Sequence, residues 1–208
     1  MEKFIKSKLL KADLVEIDRQ FEYSGFKKDM ASIVLVKQAF VAIANLVDFE
    51  LTVRSMYAEN RGLSAIYAKA SKEFDFTKYL RNKFIGHIKP ELLEKAIEWK
   101  PELRYMLKNT DKPEVMFMYN LWVLETAINT YVNPNGNHKV FESEIDLVYP
   151  PDLKRFLIFL THVVKSSIEY LEALSLVLGN KIEMLDLTQQ DLEHWLTAGK
   201  TDFEFIRK

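Results

Sequence analysis

Between Gly25 and Gly62 the chain contains neither glycine nor proline, and its apolar residues recur at helical spacing through the whole stretch. Ile33, Val36, Phe40, Ile43, Val47, Leu51 and Met56 fall three to five residues apart. At 3.6 residues per turn such positions share one face of a helix, whereas a strand would need alternation with a period of two. The scarcity of chain breakers is general. Six Gly and six Pro in 208 residues make up about 6% of the chain, half of the roughly 12% in average usage. Turn-rich β architectures place those residues at their corners. The expected fold is therefore all-α: a multi-helix bundle with two or three long helices and no significant sheet.

The same periodicity places the individual helices. Phe4, Ile5, Leu9, Leu10, Leu14, Ile17 and Phe21 form an apolar stripe over Lys3 to Tyr23, with Gly25 as its stop. Asp29 is positioned to cap the second helix, which is expected to run to about Asn60 and close at Gly62. A short helix is expected from Ser64 to Lys72. Another should be capped by Asp75 and end near Gly86, where glycine tolerates positive φ. Pro90 and Pro101 suit the first turn of a helix, which has no use for their missing N–H. Asp111 to Glu114 has the form of a capping box ahead of a helix reaching about Tyr131. Asn133 to Asn137 is a cluster of turn formers that opens a loop, with room for a small hairpin, up to Pro151. Leu153 to Gly179 reads as a long helix, and Thr188 to Gly199 as a last one. Residues 1–208 are expected to form one domain, with loop 133–151 the only candidate internal boundary.

Composition removes several classes of function. With no cysteine there is no disulfide scaffold, thiolate metal site or cysteine nucleophile. The first residues carry Lys3, Lys6, Lys8 and Lys11 without a continuous apolar stretch, unlike a secretory signal. The longest apolar run, Ile33 to Val47, is interrupted and falls short of the ~20 residues that span a bilayer. The expectation is a cytoplasmic protein without a membrane segment and without a cofactor or bound metal. The net charge of −1 conceals an uneven distribution: Lys69 to Lys89 carries six basic residues against two acidic ones. That local excess of four positive charges leaves the rest of the chain at −5.

Within this basic island lies Leu80-Arg-Asn-Lys-Phe-Ile-Gly-His87. Arg81 is followed by the polar Asn82, and five residues separate Arg81 from His87. The pattern resembles the motif of the HEPN superfamily (higher eukaryotes and prokaryotes nucleotide-binding), in which Arg and a polar residue precede His by four to six positions. Arg155 and His162 have a permitted spacing too, but Phe156 stands where the polar residue belongs. About 120 residues follow the motif, which usually comes late in the compact HEPN core. Lys89 occupies the position two after the His where some toxin members carry a Tyr modified by a partner nucleotidyltransferase.

The resemblance implies a homodimer in which two motifs face each other across one cleft, often as a metal-independent endoribonuclease of a toxin–antitoxin or phage-defence system. Arg81, Asn82 and His87 are then the catalytic candidates, Lys78, Lys83 and Lys89 the RNA-binding ones, and an antitoxin protein a further partner. Their chemistry agrees. An imidazole near neutrality can take the proton of an RNA 2′-OH or protonate the leaving 5′-oxygen, and a guanidinium can hold a phosphorane in two bonds. On a regular helix, residues six apart point about 120° from each other at roughly 100° per step, so two copies converge on a phosphate better than one. The same residues also read as a helix ending: Gly86 following a helix, Ile88 as its apolar contact, and Arg81, Lys83 and His87 as cations favourable near a C-terminus. A non-catalytic helical interaction or RNA-binding module is the alternative function. For it, Trp99, Trp122 and Trp195 would be partner contacts, although core packing is their expected role. Of the other histidines, His162 is expected in the core or an interface, and His138 and His194 in solvent.

Overall fold

The computed structural model describes residues 1–109, 111–183 and 199. Seven α-helices follow in order: α1 (Glu2–Ser24), α2 (Met30–Val53), α3 (Arg61–Ala68), α4 (Ser71–Leu80), α5 (Pro90–Trp99), α6 (Pro113–Asn129) and α7 (Pro150–Gly179). Among the described residues there is no strand, and a single antiparallel bridge joins Val132 to His138 at the foot of the Asn133 loop. The fold is all-α, with α1, α2 and α7 as its long helices. The expected helix from Thr188, with His194 and Trp195, lies outside the described residues.

Helix α1 lies along α7, and α2 packs against α1, α4, α6 and α7. The α1–α7 seam is close because small groups line it. Ser7 Oγ meets Ser175 Oγ at 2.9 Å in the interior, and a Cβ on Gly179 would come within 3.3 Å of the Phe4 ring. Phe40, Phe49, Phe74, Phe76, Phe156 and Tyr170 are fully buried in one contiguous cluster that extends from Leu10 to Leu178. By length and composition the stretch Met30–Ala58 is apolar enough to cross a membrane, which exceeds the run read from sequence. Within the molecule, 56% of its most apolar window is buried against other helices.

Helix starts follow local chemistry at several points. Asp29 caps α2 by accepting from the Ser32 N–H at 2.8 Å, and Gly25, at φ 61, ends α1 with its N–H on the Phe21 carbonyl. Pro90, Pro113 and Pro150 each occupy the first turn of a helix. Other boundaries depart from expectation. The second helix loses α geometry at Val53 and continues as a 3₁₀ turn over Arg54–Ala58, and Gly62 sits inside α3 rather than closing anything. Asp75 lies in the middle of α4, which starts earlier at Ser71 because Phe74 and Thr77 are needed in the core. The residue before α6 is Lys112, with no side-chain cap, so Pro113 and not an Asp111 capping box sets that start.

Candidate functional site

The motif begins where α4 gives out. Leu80 and Phe84, four residues apart, share one face and are both buried. Past Leu80 the backbone widens into a π turn over Arg81–Ile85, closed by the Gly86 N–H on the Arg81 carbonyl at 2.7 Å. The Lys89 N–H reaches the Lys83 carbonyl at 3.2 Å, and Pro90 then starts α5. Single π turns of this kind recur at functional sites. Gly86 has φ −73, so its value is not positive φ as expected from sequence. Its value is space: a Cβ there would lie 3.3 Å from the Arg81 carbonyl oxygen and 3.5 Å from the guanidinium carbon.

That contact fixes where the guanidinium goes. It lies against the backbone of residue 86, next in sequence to His87, while Nη1–H donates to Asn82 Oδ1 at 3.0 Å. Arg81 is half-buried, and Asn82, Lys83, His87 and Lys89 are exposed. The structure therefore joins Arg81 to Asn82 directly and brings Arg81 beside the peptide preceding His87. Below the turn, the half-buried Lys37 of α2 sits 4.6 Å from the Phe84 ring and donates to Asn120 Oδ1. Burial holds the Lys37 ammonium below its ordinary pKa.

The basic island is weaker than its composition. Lys78 donates to Asp48 at 2.6 Å and Lys69 to Glu169 at 3.1 Å, so acids from outside the island offset two of its charges. Lys83 rests 5.8 Å from the Tyr79 ring, and Lys89 is free to meet a polyanion. Sequence reading missed the roles of Gly86, Lys37 and Asp48. Gly86 lies inside the motif and was the one with a local signal; the other two come from a different helix.

His138 is half-buried rather than solvated. Its Nδ1 accepts from the Val140 and Phe141 N–H groups at 3.0 and 2.8 Å, which leaves the proton on Nε2 to donate to the Ile128 carbonyl at 2.9 Å. Edge-on packing against Phe76 completes the wedge, and burial lowers the imidazole's pKa. His162 is exposed rather than buried. The Arg155 paired with it by spacing is instead tied to Ser143, Glu144 and Asp152. Trp122 packs partly on the core, as expected, whereas Trp99 is exposed.

A polar concavity of about 1100 Å³ lies between the ends of α5 and α6 and the loop from Val132 to Asp146. Its buried Glu125 pairs with Lys100 at 2.6 Å and accepts from the Leu147 N–H. Burial pushes the Glu125 carboxyl above the usual range, with the Lys100 bond opposing. Two more apolar troughs occur, one at α5–α6 and one at the start of α7. None of the three is lined by Arg81, Asn82 or His87. No cluster of three or more His, Asp or Glu residues suited to a metal occurs among the described residues. Compared with family models, curated proteins and solved structures, the chain matches none.

Proposed function

We propose that the protein is a HEPN-like, metal-independent endoribonuclease of a toxin–antitoxin or phage-defence system, acting as a homodimer whose two motifs form one cleft. The observation that carries this reading is the accessible π turn on which Arg81 holds Asn82 and packs against the peptide before His87. Its exposed Asn82, Lys83, His87 and Lys89 are accessible to a second copy and to RNA.

His87 acts as general base toward the 2′-OH and its counterpart across the two-fold as general acid toward the 5′-oxygen. The attacking 2′-oxygen forms a bond to phosphorus, the P–O5′ bond breaks, and the products are a 2′,3′-cyclic phosphate and a 5′-hydroxyl. Arg81 stabilises the negative charge that builds on the non-bridging oxygens, and a planar guanidinium does so with two parallel bonds that an ammonium cannot supply. Asn82 orients Arg81. Lys83 and Lys89 hold the flanking phosphates, with Lys78 contributing less because Asp48 occupies it.

The test is incubation of purified protein with mixed RNA in EDTA, followed by end-group analysis. Cleavage ending in 2′,3′-cyclic phosphate is expected. His87→Ala should lower the rate by about 10²–10⁴-fold, the usual contribution of a general acid or base, and Arg81→Lys should be severely impaired despite retaining its charge. Full activity in His87→Ala would overturn the mechanism. RNA binding without cleavage would point to a non-catalytic module.

A further inference from the structure

A second candidate surface lies outside the motif and does not depend on the ribonuclease reading. Where the Asn133 loop enters α7, an open trough of about 560 Å³ runs along the first turns of the helix. Val148, Pro150, Leu153, Leu157 and Ile158 form its floor, and Ile158 is 61% exposed. A β-branched apolar side chain standing that far out of a helix gains nothing from the fold that presents it.

The charged side chains of the rim are both lysines. Lys28, contributed by the link between α1 and α2, stands with Lys154 and His162 of α7, and no acidic residue lines the trough. Several lysines elsewhere, Lys11, Lys69, Lys78, Lys100, Lys165 and Lys181, reach carboxylates on other elements. Among the described residues neither Lys28, Lys154 nor His162 has such a partner. Asp152, the one nearby carboxylate on the first turn of α7, is engaged by Arg155.

We propose that this trough docks an acidic amphipathic helix of a partner protein. Its apolar side chains at i, i+3, i+4 and i+7 would lie on Leu153, Leu157 and Ile158, and carboxylates along its flanks would meet Lys28 and Lys154. The shape selects a rod over other apolar ligands. A small molecule or acyl chain is normally enclosed over most of its surface, and this trough is open along one side. A helix brings its own polar face to cover the opening, and an apolar floor with a charged rim is the usual anatomy of such a groove. Opposite charge across the rim sets the orientation of the partner and accelerates its approach.

The experiment uses the full chain and a synthetic helical peptide with Leu at i, i+3, i+4 and i+7 in an otherwise Glu-rich sequence. Affinity is read by fluorescence anisotropy, and the binding face by amide shifts in a ¹⁵N-labelled protein. Binding is expected with shifts centred on Val148, Leu157, Ile158 and His162. Reversing the rim with Lys28→Glu and Lys154→Glu should weaken it at least about tenfold, as should Ile158→Asp. Each of these residues is exposed, so the variants should retain the parent circular dichroism spectrum. A Lys-rich version of the peptide and vesicles of anionic phospholipid should leave these amides unmoved. Failure of the Glu-rich peptide to bind, shifts on another face, unchanged affinity after rim reversal, or equal binding of the Lys-rich peptide would each overturn the proposal. Vesicle binding through these residues would assign the trough to a membrane surface instead.

Discussion

Gly86 stands in right-handed backbone that alanine adopts without strain, and a glycine-to-alanine change at such a site stabilises by about 0.4–1 kcal/mol where space allows. Space is lacking here, because the new Cβ would press on the Arg81 carbonyl and guanidinium. The two effects oppose each other in stability but not in function. Gly86→Ala is expected to move the thermal midpoint by less than about 4 °C, which corresponds to roughly 1 kcal/mol for a chain of this size, while RNA cleavage falls at least about tenfold. Calorimetry beside the cleavage assay checks both, and unchanged cleavage would mean that Arg81 is not placed by this contact. His138 supplies a pH dependence. Burial, aided by Arg155 and opposed by the Ile128 carbonyl, lowers its pKa from 6.5, so the unfolded chain takes up a proton that the folded one refuses. Its contribution is complete above pH 6.5 and is lost as pH falls from there through the lower folded value. Urea midpoints should therefore decline on acidification through that window, and less steeply in His138→Gln. At His162, exposed on α7, substitution is cheap: His162→Ala is expected to change stability by less than about 0.5 kcal/mol in urea unfolding.

Helix α4 packs mainly on α2, and one of its rings reaches further. Phe76 is fully buried and meets Tyr131, His138, Phe141 and Phe159, with centroids 4.9–5.9 Å away. Those partners belong to the end of α6, the Asn133 loop and α7, so a single side chain of the helix leading into the motif anchors three separate segments. Phe76→Ala should cost about 3–5 kcal/mol in denaturant unfolding, the range for removing a large buried aromatic. It should also raise hydrogen exchange at Val140 and Phe141, whose N–H groups bond to the His138 ring beside it. Exchange confined to α4 would show that the loop is anchored elsewhere. At the far end of α2, Glu50 is buried and accepts from Arg54 and from the Tyr57 hydroxyl, which also meets Tyr170 at 2.9 Å. This network keeps the 3₁₀ turn after α2 against α7. Tyr57→Phe removes a bond to a charged acceptor and should cost about 1.5–3 kcal/mol.

At the scale of the whole molecule, the composite-site mechanism stands or falls on self-association. The proposed ribonuclease should sediment as a dimer at micromolar concentration, and a monomer there would remove the basis for pairing two motifs. Mixing wild-type chains with an excess of His87→Ala chains sharpens the test. If one cleft needs His87 from both protomers, the mixed dimers lack one of the two proton transfers, and cleavage should fall below that of the wild-type chains alone. Strictly within-chain sites would keep the activity of every wild-type chain.

What could be read from the sequence was whatever neighbouring residues dictate to one another. The Gly- and Pro-free stretch after Gly25, the cap at Asp29 and Pro90 in the first turn of α5 required only local rules, because helical hydrogen bonds and caps join residues four or fewer apart. The motif Arg81-Asn82…His87 was legible for the same reason, as a spacing. Burial was not. Asp75 and Asp111 have good capping chemistry, yet α4 and α6 begin elsewhere, set by Phe74 entering the core and by Pro113. His138 and His162 each sit among residues that suggest the wrong environment, since a turn cluster surrounds one and an apolar run the other. Phe76, separated from it in sequence by α5 and α6, draws His138 inward, and the outward face of α7 leaves His162 in water. The π turn likewise packs against α2 and α6, helices that lie elsewhere in the sequence. Local spacing determines which residues are offered to a helix face; only the packing of distant helices decides which of those faces is dry, and with it which charges stay free to act.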